Sequence, residues 1–244
     1  MELRTAAQAG SEPKFIIGPV QSGRPPAVTG YCIDLFRAIE QVDSAIHIIG
    51  DQALMTPSAM KHLMDTNDLD LACAWVRAGR HGDGYAFVEP ALFIFHFVLA
   101  ARAGDDAVVQ SWDDVRKLAP DNVVLINHDW SQADWVQPLQ GFRIDSAGYS
   151  SQSNLTKLAA GRGRFFFFRE PGLSLEIAGA GLQDKVRMLP AQLGSDPAFL
   201  VLRKSLPETE RSELQNAVMQ LNVRGELARL NARWNLTGVA AARD

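Results

Sequence analysis

The chain has 244 residues, 47% of them hydrophobic and 21% charged, with 24 Lys and Arg against 28 Asp and Glu. That is enough apolar material for one large domain or two compact ones. A net charge of −4, with no stretch that concentrates Lys and Arg, argues against nucleic acid or an anionic membrane as the main partner. The longest apolar run, 86–101, is interrupted by Glu89, Pro90 and His96. It is shorter than the roughly 20 residues a bilayer needs, so no membrane insertion is expected. Met1-Glu2-Leu3-Arg4 lacks a basic segment followed by an apolar one. A cytosolic protein and a chain that begins after a removed leader are both open at this point.

Residues 15–18 read as a short first strand, followed by a loop over 19–30 punctuated by Gly23, Pro25, Pro26 and Gly30. Cys32, Leu35, Phe36 and Ile39 fall at i, i+3, i+4 and i+7, one apolar stripe of a helix. A strand over 46–49 follows. Thr56-Pro57 announces a second helix carrying Met60, Leu63 and Met64, with Thr as N-cap and Pro at the first helical position. Residues 70–75 then read as a buried strand. This β-α-β-α-β order implies parallel strands with crossover helices.

A long apolar strand over 93–101 leads out of this unit. Ser111 with Asp114 fits a capping box. Strands are expected at 123–126, 165–168 and 186–189. A helix start is expected at 129–132, and a short helix with Leu155, Leu158 and Ala159 is closed by Gly161. After a strand at 199–202 and a turn at 204–207, two helical stripes remain. One is Leu214, Ala217, Val218 and Leu221; the other is Leu227, Leu230 and Trp234, after a break near Gly225. The tail after Thr237 reads as disordered. Cys32 and Cys73 sit in apolar patterns and read as two buried free thiols, with a single disulfide open if the protein is exported.

In this order of elements the run Gly30-Tyr31-Cys32-Ile33-Asp34-Leu35-Phe36-Arg37-Ala38-Ile39 resembles the G-F-x-x-D-L-x-x-A-I signature of the family 3 extracellular solute-binding proteins, the receptors of amino-acid ABC importers. Asp70-Leu71-Ala72, Phe87-Val88-Glu89-Pro90, Ser111 to Leu118, Leu158-Ala159-Ala160-Gly161-Arg162, Leu202-Arg203-Lys204, and Gly225-Glu226-Leu227 with Trp234 resemble further motifs of that family, in its order. The resemblance implies an α/β, two-lobed, type II periplasmic-binding-protein fold, each lobe a mostly parallel sheet flanked by helices. Lobe 1 would comprise 1–100 and 197–244, and lobe 2 101–196, with hinge crossings near 99–103 and 195–199. Ligand would bind in the interlobe cleft, with hinge closure.

The same resemblance directs attention to specific residues. A carboxylate-binding Arg is expected between Trp75 and Gly84. Arg80 is the nearest match, with Arg77 as competitor, because a guanidinium makes two parallel hydrogen bonds to one carboxylate. Trp75 is expected either to stack on the ligand or to pack in the core. Gln21 and Arg24 are the polar candidates of the first loop. Where the family opens a helix with glycine, this chain has Asn127-His128-Asp129-Trp130-Ser131-Gln132. Asp129 there reads as an N-cap, while His128, Trp130 and Ser131 are candidates to line the cleft. Arg169 takes the place of the family's ammonium-binding Asp. Glu170 beside it could receive a cation at a strand's carboxyl end, and a surface charge pair is the alternative.

His47, His62, His81, His96 and His128 lack metal-ligand spacing, and there is no nucleophile elbow or HExxH. A cleft enzyme using His81, His128 or Glu170 is the minor reading, and a sensor or orphan binding domain is the main rival to transport. No enzyme activity, cofactor or metal is expected. The expected protein is a periplasmic monomer, its leader removed, that takes a small-molecule ligand and hands it to an ABC permease.

Overall fold

The structure, a computed structural model, describes residues 1–19, 26–77, 84–128 and 136–238. The tail beyond 238, and with it the expectation of disorder there, lies outside the described residues. The chain divides into two compact units. Unit 1 comprises Met1–Arg77, His81–Ile94 and Pro197–Asp244; unit 2 comprises Ala78–Arg80 and Phe95–Asp196.

In unit 1 the first strand is not 15–18 but β1, Glu2–Arg4, which pairs in parallel with β5, His47–Ile49. Only Leu3 of β1 is buried, so the strand has almost no apolar signal. β2, Ala7–Gln8, pairs in parallel with β6, Leu54–Met55. Ile16–Ile17 forms only β3, a two-residue antiparallel pairing with β4, Val28–Thr29.

Helix α1, Tyr31–Val42, buries the predicted stripe of Cys32, Leu35, Phe36 and Ile39, together with Tyr31. Helix α2, Pro57–Asp65, starts where the Thr56-Pro57 pattern places it, with Thr56 accepting from the Ala59 N–H at 3.3 Å. β7, Leu71–Val76, is buried at all six positions. Its core face joins Met60, Met64, Tyr85 and Phe199.

The chain leaves unit 1 through β8, Tyr85–Arg102, a continuous strand of 18 residues. The unit boundary falls within it at Ile94 and Phe95, earlier than 99–103, because nothing in the run 85–102 interrupts the strand to mark a crossing. Unit 2 then adds α3, Trp112–Lys117; β9, Val123–Asn127; β10, Arg143–Gly148; α4, Ser151–Ala159; β11, Phe165–Glu170; α5, Leu173–Gly179; and β12, Val186–Met188. β9 pairs in parallel with β10 and with β11. β8 runs antiparallel to β11 and to β12, so the sheet is mixed rather than mostly parallel: the strand that enters the unit runs against those built after it.

Phe165, Phe166, Phe167 and Phe168 are all buried, as expected for a strand covered on both faces. Phe166 and Phe168 meet Leu155, Leu158, Leu173 and Ile177. Phe167 meets Phe97 and Trp112 on the other face.

β13, Gly194–Arg203, carries the chain back and pairs antiparallel with β7. Helices α6, Glu208–Val223, and α7, Glu226–Arg233, close unit 1 against α1. The return is fixed by Asp70, whose residue is 3% exposed. Its carboxylate accepts from Arg4 Nε at 2.8 Å and from Arg203 Nε at 2.6 Å. Burial alone raises the Asp70 pKa. Hydrogen bonds from the Arg4 side chain and backbone and from Arg203 outweigh it and bring the carboxyl down to about 2.

Cys32 and Cys73 form a disulfide, which replaces the expected pair of free thiols. The bond ties α1 to β7 across a sequence separation of 41. Closing a loop of that size removes chain entropy from the unfolded state worth about 4 kcal/mol. The variant Cys32→Ala/Cys73→Ala should therefore lose about 4 kcal/mol in urea denaturation relative to oxidised wild type, and reductant should lower wild type to match. Identical midpoints for oxidised and reduced protein would show that the bond contributes nothing.

Candidate functional site

In open α/β sheets ligands sit outside the carboxyl ends of the strands. In unit 2 these ends carry Asn127-His128, Gly148-Tyr149 and Glu170. A buried amide network locks this edge. Asn154 Nδ2 donates to Asn127 Oδ1 at 2.8 Å and to the Ile126 carbonyl at 3.1 Å, and Asn127 Nδ2 donates to Ser151 Oγ at 3.1 Å. A Cβ on Gly148 would lie 2.1 Å from Asn154 Oδ1, so only glycine lets β10 pass the network. His128 Nδ1 lies 3.1 Å from the Ser146 carbonyl, and its ring meets Tyr149 with centroids 4.7 Å apart. Tyr149 is 76% exposed, a large ring offered to solvent at this edge.

Arg169 is not a surface side chain. It is 3% exposed, its guanidinium packs over Phe95 and Phe168, and it donates to the Pro171 carbonyl. Glu170 is half-buried. One carboxylate oxygen accepts from the Gly172 N–H at 3.1 Å, at the start of α5. The other, Oε1, is buried with no hydrogen-bond partner among the described residues. Opposite Glu170 across the antiparallel ladder stands His96, whose Nδ1 is likewise buried without a partner among the described residues. Burial raises the Glu170 pKa, against the opposing pull of the Ser174 and Gly172 N–H groups and the Arg169 charge.

In unit 1 the corresponding edge holds Gln8, Lys14, Trp75 and Arg77. Trp75 is 6% exposed, donates to Gln8 Oε1 at 3.3 Å and meets Tyr85 edge-on, so it packs in the core. Lys14, only 3% exposed, donates to Gln8 Oε1 at 3.2 Å and to the Ala74 carbonyl at 3.4 Å. Ala74 has φ 55, and the β7–β13 register shifts around it, which turns the carbonyl out of the ladder. Arg77 pairs with Glu89 at 2.6 Å and lies over Phe87 and Phe199. Its guanidinium is thus engaged within unit 1.

Arg80, Gln21, Trp130 and Ser131 lie outside the described residues, as do His81, Arg24, Asp129 and the helix start expected at 129–132. Lys14 and Tyr149 escaped the sequence reading, and His96 stood out there only as a break in an apolar run. A lysine after Glu-Pro has no apolar pattern to mark it as buried, and Tyr149 lies in a polar turn with no periodicity.

No protein-family model matches the chain, and no curated protein matches it. Solved structures do. A histidine kinase sensor domain with similarity to periplasmic binding proteins aligns with a TM-score of 0.79 at 15% identity, covering 98% of each chain. The amino acid ABC transporter substrate-binding protein AbpA from Streptococcus pneumoniae, bound to L-arginine, aligns at 0.74 with 16% identity over 95% of this chain and 93% of that one. The GluR0 ligand-binding core from Nostoc punctiforme, in complex with L-glutamate, aligns at 0.69 with 19% identity over 95% and 98%. The chain has the periplasmic-binding-protein fold. These structural relatives are binding and sensing proteins.

Within the periplasmic-binding-protein fold, Glu170 is an acid kept in an environment that disfavours its charge. Its folded-state pKa lies above the ordinary 4.5, so the folded protein holds this proton more tightly than the unfolded chain does. The resulting stability penalty is present above the folded pKa and disappears below the unfolded one. Glu170→Gln should therefore match or exceed the wild-type thermal midpoint at pH 7, and the difference should close as the pH falls below 4.5. A midpoint several degrees lower at pH 7 would show that the charge stabilises the fold.

Proposed function

We propose that the chain is a solute-binding receptor that captures a small polar molecule, amino-acid-like or organic-acid-like, and delivers it to an ABC-type importer. It acts by reversible binding, without catalysis, cofactor or metal. The observation that carries this reading is the likeness to an amino-acid substrate-binding protein over 95% of this chain and 93% of that one. The Cys32–Cys73 disulfide supports placement in an oxidising compartment, such as the periplasm of an exported protein. No described helix is long and apolar enough to cross a membrane. The working form is a monomer that docks on a permease.

In this reading Arg80 takes the ligand's carboxylate. Gln21, Trp130, Ser131, His128 and Tyr149 give it polar and aromatic contacts, and Glu170 takes a donor group through Oε1. Trp75 and Arg169 support the site from within, because both are buried in their own units. Arg77 would reach a ligand only by giving up Glu89.

A second reading, a sensor domain, draws on the likeness to the kinase sensor domain over 98% of both chains. Neighbouring permease and ATPase genes would favour import, and a kinase gene would favour sensing.

A thermal-shift screen over amino acids, small organic acids and polyamines tests the shared claim of both readings. One class should raise the midpoint with saturation, since a ligand at 100 times its Kd stabilises by about 2.7 kcal/mol. Arg80→Ala should then weaken a carboxylated ligand by roughly tenfold or more in calorimetry. A panel with no saturable member would overturn the reading, and unchanged affinity would remove Arg80 from the site.

A further inference from the structure

The parallel strands of unit 2 have a second edge, the one at which β9, β10 and β11 begin. There Val123, Arg143 and Arg164 line a concave pocket of about 460 Å³, with the turn after β8 and the turn between α4 and β11 as its other walls. Four arginines face it: Arg102, Arg143, Arg162 and Arg164. Two of them are fixed. Arg164 grips Asp105 with two hydrogen bonds of 3.1 Å each, and the Asp105 side chain is only 4% exposed. Arg102 lies 3.6 Å from the same carboxylate and donates to the Gly163 carbonyl at 2.9 Å and the Leu158 carbonyl at 3.5 Å. It thereby answers the partial negative charge at the carboxyl end of α4. The charge of Asp105 is spent on this framework.

Arg143 and Arg162 are different. Both are exposed on the pocket wall, and among the described residues neither side chain is seen in an ion pair or hydrogen bond. Two further carboxylates, Asp106 and Asp121, line the same pocket and are also exposed. The pocket thus offers two forks for an oxyanion and, beside them, two acceptors that repel a bare anion but suit hydroxyl or ammonium donors.

We propose that this pocket is a second binding site, for a small phosphate ester of a polyol or amino alcohol. Arg143 and Arg162 take the phosphate, with Arg102 and Arg164 held at Asp105 in the same lining. Asp106 and Asp121 accept from the hydroxyl or ammonium groups. The volume is in the range of small-molecule sites. The site lies at the opposite strand edge from the carboxyl ends used by the proposed solute, so it stands or falls independently of that reading.

Calorimetry on the full chain with glycerol 3-phosphate, inorganic phosphate and glycerol, at matched ionic strength, tests the assignment. Glycerol 3-phosphate should bind saturably and more tightly than phosphate, and glycerol alone should not bind. Arg143→Ala/Arg162→Ala should weaken both phosphates roughly tenfold or more while keeping the unliganded thermal midpoint, since both side chains are exposed. Asp121→Asn should tighten inorganic phosphate and narrow the preference for the ester. No saturable binding of glycerol 3-phosphate, or equal affinity in the double arginine variant, would overturn the site. An unchanged preference in Asp121→Asn would overturn the role of the acids.

Discussion

The fold turns on one buried carboxylate. Asp70 lies at the foot of β7 and holds Arg4 from the start of the chain and Arg203 from the strand that returns after unit 2. Removing a carboxylate from water costs several kcal/mol unless charged partners and hydrogen bonds replace the hydration. Here the replacement comes from three N–H groups of two arginine side chains, and the Arg4 backbone N–H adds a fourth donor at 2.9 Å. Asp70 is therefore satisfied only when residues 4, 70 and 203 meet. The whole of unit 2 must be made between the second and the third.

That constraint organises the rest. The chain leaves by β8 and returns by β13, and unit 2 is an excursion with its own core of stacked phenylalanines. Because its strands β9, β10 and β11 run the same way, one edge gathers His128, Tyr149 and Glu170 and the other gathers the arginines. The two edges differ in chemistry. The first is aromatic, with His128 and Glu170 half-buried and Tyr149 exposed. The second is open and ionic. The strands of unit 2 thus present two edges of different chemistry.

Elements whose signal is local were legible in the sequence. The α1 stripe, the Thr56-Pro57 start of α2, the Ser111 and Asp114 start of α3 and the apolar run of β11 follow from spacing and caps alone. What escaped depends on partners far along the chain. β1 and β10 lie along short or edge pairings with few buried positions, so their residues read as polar loop. A cysteine that will pair with another 41 residues away looks the same as a buried thiol. Arg169 looks like a surface cation until Phe95 from another strand is placed against it. The same holds for the candidate site: residue types mark candidates, but burial decides which side chains are accessible, and burial is a tertiary property.

The first and last segments of the chain form one compact unit held at Asp70, and the residues between them form a second. Amide hydrogen exchange on Asp70→Asn tests this directly. Exchange should quicken together in β1, in β7 and in the returning half of β13, while the strands between Phe95 and Met188 keep their wild-type protection. Loss of protection confined to β7, or spread evenly through both units, would contradict it.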